Sequence, residues 1–272
     1  MSGMKKWRGV LGAVVALGLI GGGALAQAQA TKPKQEAPAQ DANAKKLADI
    51  DKRLAEARKA FEAKVKAAKN EEEQEKVFAE GMPEKAFVGE YQALAKEAKG
   101  TEVAAKALNQ VMLIGGGGGA EEMEAAKAAA KVMAAEHIES PEAALLVFAA
   151  EQLLGEEEGP KVVEALKARN KSKPVVAALL FVEAQKVMGE KGEDAAEVRP
   201  LYTRLAGEFA EVKLPWSEET YGAIAGGWLF VRDNLVVGKV APGFEAVDEN
   251  GVKWKLEEYR GKVVVIDFWG DW

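Results

Sequence analysis

The 272 residues contain no cysteine and a single histidine. Without cysteine, no disulfide staples the chain, and no thiolate stands ready as nucleophile or metal ligand. His137, the lone histidine, cannot build a metal cluster with distant carboxylates; its place near a helix C-terminus, ahead of Ser140-Pro141, suits a cation weakly. Strand-type alternation is nearly absent from Ala44 to Val236, which argues against a β fold there. The glycine run Gly115 to Gly119 lacks the Gly-Lys-Ser/Thr ending of a phosphate-binding loop and reads as a flexible interhelical loop. Neither Glu71-Glu72-Glu73 nor Glu156-Glu157-Glu158 has the alternating ligand spacing of a calcium loop, so both read as solvated helix ends or loops.

What is present is a globular composition, 48% apolar and 29% charged, sufficient for one substantial core and a second small one. The first thirty residues read as a secretory signal peptide. Lys5, Lys6 and Arg8 form a basic start, Val10 to Ile20 an apolar core, and Ala24-Leu25-Ala26 or Ala28-Gln29-Ala30 a small-x-small cleavage site. Trp7 to Ala26 approaches the length of a membrane span, so an uncleaved anchor is the alternative; its glycines and two cleavage sites favour removal. Export to the periplasm or another extracytoplasmic space is the expectation. Removal of the three cations takes the net charge from −6 to −9, a poor balance for binding nucleic acid.

Thr31 to Asn43, rich in Pro, Gln, Ala and Lys, reads as a flexible linker. From Ala44 to Val236 apolar residues recur at helical spacing, and an all-helical domain is expected over 44–236. Leu47, Ile50, Leu54, Ala57, Phe61 and Val65 mark one long amphipathic helix. Further helices are expected at about 71–80, 83–98, 101–114, 120–136, 141–154, 159–169, 173–188, 194–210 and 217–234. Pro83, Pro141, Pro160 and Pro174 fall where a first helical turn tolerates proline, and Ser140 and Ser217 are expected N-caps. Gly100, Gly115, Gly155 and Gly189 fall near expected helix ends.

Pro141, Leu146, Phe148 and Gln152 recur 33 residues later as Pro174, Leu179, Phe181 and Gln185. That period suggests a helical-hairpin array like that of tetratricopeptide repeats (TPR-like), although the signature of that repeat is not clearly present. Such an array binds a protein or peptide, or spaces other parts. Trp216 and Trp228 flank the final helix and are expected to pack it against the array.

The last 36 residues change character. Phe244 to Val247 and Val252 to Leu256 flank Asp248-Glu249-Asn250-Gly251, a hairpin signal in which Asn-Gly supplies positive φ. Pro242 cannot donate to a ladder and belongs before the first strand. Leu256 to Tyr259 is at most one helical turn, closed by Gly261. Val263 to Phe268 is a short, β-branched apolar run of the kind found in a strand buried on both faces.

Read together, Gly238-Lys239-Val240-Ala241-Pro242-Gly243-Phe244, the Asn250-Gly251 turn, Leu256-Glu257-Glu258-Tyr259-Arg260-Gly261-Lys262 and the strand ending Asp267-Phe268-Trp269-Gly270-Asp271-Trp272 resemble the opening of a thioredoxin-like redoxin of the TlpA/ResA type. The resemblance implies a Cys-x-x-Cys pair directly after Trp272, at the start of a helix whose N-terminus lowers a thiol pKa. On that expectation residues 237–272 are a truncated domain, the missing cysteines reflect the cut, and the fragment is catalytically incompetent. The resemblance also implies that Asp267 is the carboxylate assisting proton transfer at the second cysteine, with Phe268, Trp269 and Trp272 flanking the motif. Burial of such a carboxyl would raise its pKa and fit it for that role; a strand-end Asp bonding to nearby backbone remains the other reading.

The expected fold is therefore mainly α: a helical-hairpin array, then the β-hairpin and first central strand of an incomplete thioredoxin-like α/β domain. The expected function is an exported thiol-disulfide oxidoreductase, its partners the thiols and disulfides of envelope proteins and a reducing partner, with no cofactor and no metal. Two alternatives stand: a helical scaffold or peptide-binding module with a vestigial redoxin end, and a peroxidase of the peroxiredoxin type, which shares the Ala-Pro-x-Phe opening. Contact with a membrane is expected only through an uncleaved signal segment.

Overall fold

The computed structural model describes residues 38–267, and the chain is mainly α. The signal segment and the first part of the expected linker lie outside the described residues. Among the described residues no helix is long and apolar enough to cross a membrane.

Helix α1, Pro38–Ala67, begins inside the stretch expected to be a linker. Its first turns are rich in alanine and carry an Asp41–Lys45 pair at 2.7 Å across one helical turn, a combination that favours helix over coil. Leu47, Ile50 and Leu54 form the buried stripe that their spacing required. Asn70 caps α2, Glu71–Ala79, through its Oδ1, which accepts from the Glu73 amide at 2.9 Å. The three glutamates of that first turn stand at the positive end of the helix dipole, which accounts for the acidic run.

A 3-10 turn at Pro83–Phe87 leads into α3, Val88–Glu97; Thr101 caps α4, Glu102–Gly117; and α5 is Ala120–Glu136. The expected glycine loop is mostly helix. Gly115 lies where α4 crosses α5: a Cβ there would sit 2.2 Å from the Ala126 Cβ and 2.5 Å from the Glu122 carbonyl oxygen. The glycine is needed for close approach and not for a turn, and only Gly118 and Gly119 remain to connect the helices.

Ser140 caps the next element as expected, its Oγ accepting from the Glu142 amide at 3.1 Å, and Pro141 opens a 3-10 turn at Pro141–Leu145. Helix α6, Leu146–Arg169, joins two expected helices and bends at Gly155, whose φ is 87°. Helix α7, Lys173–Lys191, starts at Pro174 in its first turn and runs past Gly189 to end at Gly192, φ 93°. Helix α8 is Val198–Glu208. Helix α9, Tyr221–Asn234, is capped by Thr220 and not by Ser217. The backbone before it is committed elsewhere: Lys213 bridges Thr220, and the Tyr221 amide donates to the Val212 carbonyl at 2.8 Å, so the helix cannot start earlier.

From α3 onward the helices pack chiefly on their neighbours in sequence, α3 on α4, α4 on α5, α7 on α8 and α8 on α9, while α1 lies on the Pro83–Phe87 turn, α3 and α4, around one apolar core that runs from Leu47 to Ala225. At the 33-residue period, Phe148 and Phe181 meet at 6.3 Å. Asn170, 1% exposed, ties the turn ahead of α6 to the turn ahead of α7: its Nδ2 donates to the carbonyls of Ile138 and Ser140, both at 2.8 Å, while its Oδ1 accepts from the Ser172 amide and hydroxyl. A buried amide that satisfies both of its ends fixes the relative position of two turns. Trp216 meets Phe148 edge-on at 4.7 Å and Trp228 stacks on Tyr202 at 4.5 Å, holding α9 to the body.

Candidate functional site

Beyond α9 the chain forms β1, Glu245–Val247, and β2, Lys253–Lys255, paired antiparallel with Glu245 opposite Lys255, Ala246 opposite Trp254 and Val247 opposite Lys253. Asp248 organises the turn. Its carboxylate accepts from the amides of Asn250 (2.9 Å) and Val252 (2.8 Å), and its carbonyl accepts from the Gly251 amide at 3.0 Å. Gly251 has φ 81°, so a three-residue loop with glycine in the left-handed region closes the hairpin. Glu245 and Lys255 pair across the strands.

The inner side of this hairpin is aromatic. Trp254 packs edge-on against Phe244 at 5.4 Å and against Tyr259 at 5.6 Å. Tyr259 comes from the 3-10 turn Leu256–Tyr259 that follows β2, and the Leu256 amide donates to the Phe244 carbonyl at 3.1 Å. Three aromatics drawn from the opening, the second strand and the turn thus hold the segment in its expected order. The spacing of the trio around one hairpin is the signal for it in the sequence.

Val263 to Asp267 follow without a ladder among the described residues, so the expected central strand is not formed there. The reason is physical: a strand closes its hydrogen bonds on a neighbour, and β1 and β2 pair only with each other in the described sheet. Val263 and Val265 are exposed almost completely, Val264 and Ile266 by about half as much. Asp267 is exposed too. Phe268, Trp269 and Trp272 lie outside the described residues. The segment offers a carboxylate at the end of an apolar run, and no thiol.

The other candidates do not assemble a site. His137 ends α5, buried, above an open groove of about 430 Å³ where Glu136 pairs with Lys99 and Glu139 with Arg169, each at 3.0 Å. No cluster of three or more metal-ligating side chains occurs among the described residues. Glu142 carries a raised pKa, first from burial and then from the nearby Glu102 carboxylate, while Asn109 Nδ2 donates to it at 3.2 Å. Burial likewise pushes up the hydroxyls of Tyr91, Tyr202 and Tyr221, all of them core packing groups.

Among known proteins, a stretch of 46 residues is 37% identical to the thiol-disulfide oxidoreductase ResA of Bacillus thuringiensis subsp. konkukian (strain 97-27). The ResA proteins of Bacillus cereus (strain ATCC 10987 / NRS 248) and Bacillus anthracis match over the same length at the same identity. The stretch is 17% of this chain and 27% of each relative, so the chain spans about a quarter of the length of the curated relatives it matches. No family model matches the chain. No solved structure matches it either. The short match supports a thioredoxin-like relationship and nothing finer.

Proposed function

We propose that residues 237–272 open a thioredoxin-like domain, and that the protein to which they belong is an exported thiol-disulfide oxidoreductase acting on cell-envelope proteins. The observation that carries this reading is the order of the segment: a proline-led opening, a glycine-closed hairpin, one 3-10 turn, and an apolar run delivering Asp267. The 46-residue likeness to ResA proteins supports the thioredoxin-like redox part of it, and the basic and then apolar residues Lys5 to Ile20 are the ground for export. In this reading a Cys-x-x-Cys pair follows Trp272. One cysteine thiolate attacks a substrate disulfide, giving a mixed disulfide and releasing one substrate thiolate. The second cysteine then attacks the mixed disulfide, and the substrate leaves as a dithiol while the pair is oxidised to a disulfide. Asp267 would relay the proton of the second cysteine. The helical body serves as spacer or as the surface that chooses substrates.

The test begins with the coding sequence past Trp272 and continues with insulin reduction by the full-length product. A cysteine pair there, with turnover that falls when either cysteine becomes serine, is the expected result. A stop codon directly after Trp272 sinks it. The absence of cysteine from all 272 residues favours a second reading in that case, a helical scaffold with a vestigial redoxin end. Consumption of hydroperoxide without insulin reduction would assign the peroxidase branch.

A further inference from the structure

Helix α9 is the last of the stack and packs on α8, with Tyr221 and Ala225 buried and Trp228 stacked on Tyr202. The terminal element of a helical stack needs a polar outer face, because no further helix covers it. Here the outer face is apolar. Gly227, Phe230, Val231 and Leu235 follow one another at helical spacing, and Phe230, Val231, Leu235 and Val236 are between 44% and 55% exposed. Gly226 and Gly227 sit in mid-helix with nothing within 4 Å of a would-be Cβ. Packing inside the stack does not require them, yet each costs the helix about 1 kcal/mol relative to alanine. Bare backbone beside large apolar side chains lets another element approach closely.

The occupant follows from the connection. The patch runs directly into the tether: Leu235, Val236 and Val237 belong to it, and β1 begins at Glu245. The ten residues between α9 and β1 span at most about 35 Å. A unit held on so short a tether faces α9 at an effective concentration on the order of millimolar, ahead of any free partner. We propose that the outer face of α9 seats the thioredoxin-like unit opened by β1 and β2 of the same chain. This rests on the redoxin reading of residues 237–272. Seating buries Phe230 and Leu235, draws Val237 and Val240 into the seam, and gives the redox unit a fixed orientation on the helical body.

Hydroxyl-radical footprinting of the full-length gene product tests the seat, with Phe78 as internal reference, because Phe78 is 51% exposed and Phe230 48%. Burial of Phe230 to below about a tenth of its surface lowers its labelling about fivefold relative to Phe78. That protection is expected to be independent of protein concentration. In the double variant Phe230→Ser, Leu235→Ser, labelling of Val231 and tryptic cleavage at Lys239 are expected to rise several-fold. Equal labelling of Phe230 and Phe78 overturns the seat, and protection that grows with concentration overturns it in favour of a second copy of the chain. Insulin reduction separates the two readings. Activity with an unprotected Phe230 sinks the seat alone, whereas a protected Phe230 without activity sinks the redox reading alone.

Discussion

Helix α7 and the run Val263–Ile266 draw on the same kind of residue and end in opposite environments. In α7, Val175, Ala177, Ala178 and Ala184 are fully buried and Leu180 nearly so; in the run, three valines and an isoleucine are between 42% and 97% exposed. Apolar content does not separate them. A helix closes its backbone hydrogen bonds within itself, so α7 needs only side-chain neighbours, which α6 and α8 provide. A strand must find both a ladder and two covering faces. Among the described residues, large exposed apolar side chains fall almost entirely between Phe230 and Ile266, with Phe78 and Val132 the exceptions. As far as α8 the helical body is completed by its own sequence, whereas the outer face of α9 and the segment after it are not completed by the residues described.

The contrast breaks most visibly in the core. Leu166 is 0% exposed, and Leu166→Ala is expected to cost about 2–5 kcal/mol in urea unfolding followed by helical circular dichroism. A loss below about 1 kcal/mol would mean that the body is looser than its packing indicates. Gly115 gives a finer cut. Gly115→Ala drives a methyl into the α4–α5 crossing and is expected to cost about 1–3 kcal/mol. Gly116→Ala, with open space at its Cβ, is expected to gain about 0.5–1 kcal/mol from helix propensity. If both variants shift the midpoint in the same direction, close approach is not the reason for Gly115.

Those glycines also show which parts of the structure can be read from sequence. The caps at Ser140 and the prolines at 141 and 174 act within one turn of chain, and they fell where local chemistry placed them. So did the hairpin, because Gly251 and Asp248 settle its turn without outside help. Gly115 looked like a loop because its reason is a neighbouring helix that sequence spacing does not display. Ser217 lost the cap to Thr220 because backbone pairing between 212–214 and 219–221 was invisible beforehand. The run Val263–Ile266 is a different case: β-branched residues announce a strand, but its ladder belongs to residues that the described chain does not hold, and the run is left exposed. Asp267 stood out only through a family resemblance, and exposure alone assigns it no chemistry.

Titration distinguishes the two regions more gently. Burial, and then the Glu102 carboxylate, raise the pKa of Glu142; Lys106 and Asn109 act in the opposite direction. Above the unfolded carboxyl range the unfolded chain ionises more readily than the folded one, so Glu142 subtracts stability as pH rises through its folded pKa and subtracts none below about pH 4. Glu142→Gln, which keeps an oxygen for the Asn109 amide, is therefore expected to be more stable than the parent at pH 7 and indistinguishable from it near pH 4. Urea midpoints at both pH values decide this. An equal gain at the two pH values would trace the effect to packing and remove charge from the account.

The smallest expected effect lies in the run after the hairpin. Val265 is 88% exposed, so Val265→Ser removes almost no buried surface from this fold and is expected to leave the helical unfolding midpoint within about 0.5 kcal/mol of the parent. What it should change is association. An exposed β-branched run without a ladder partner is a template for edge pairing, and a polar residue at its centre weakens that tendency. Light scattering of the 272-residue chain with time is the measurement, and slower growth for Val265→Ser is the expected outcome. A large shift of the helical midpoint would instead show that Val263–Ile266 packs on the helical body in solution, and the division between a self-completed body and an uncompleted segment would fail at that point.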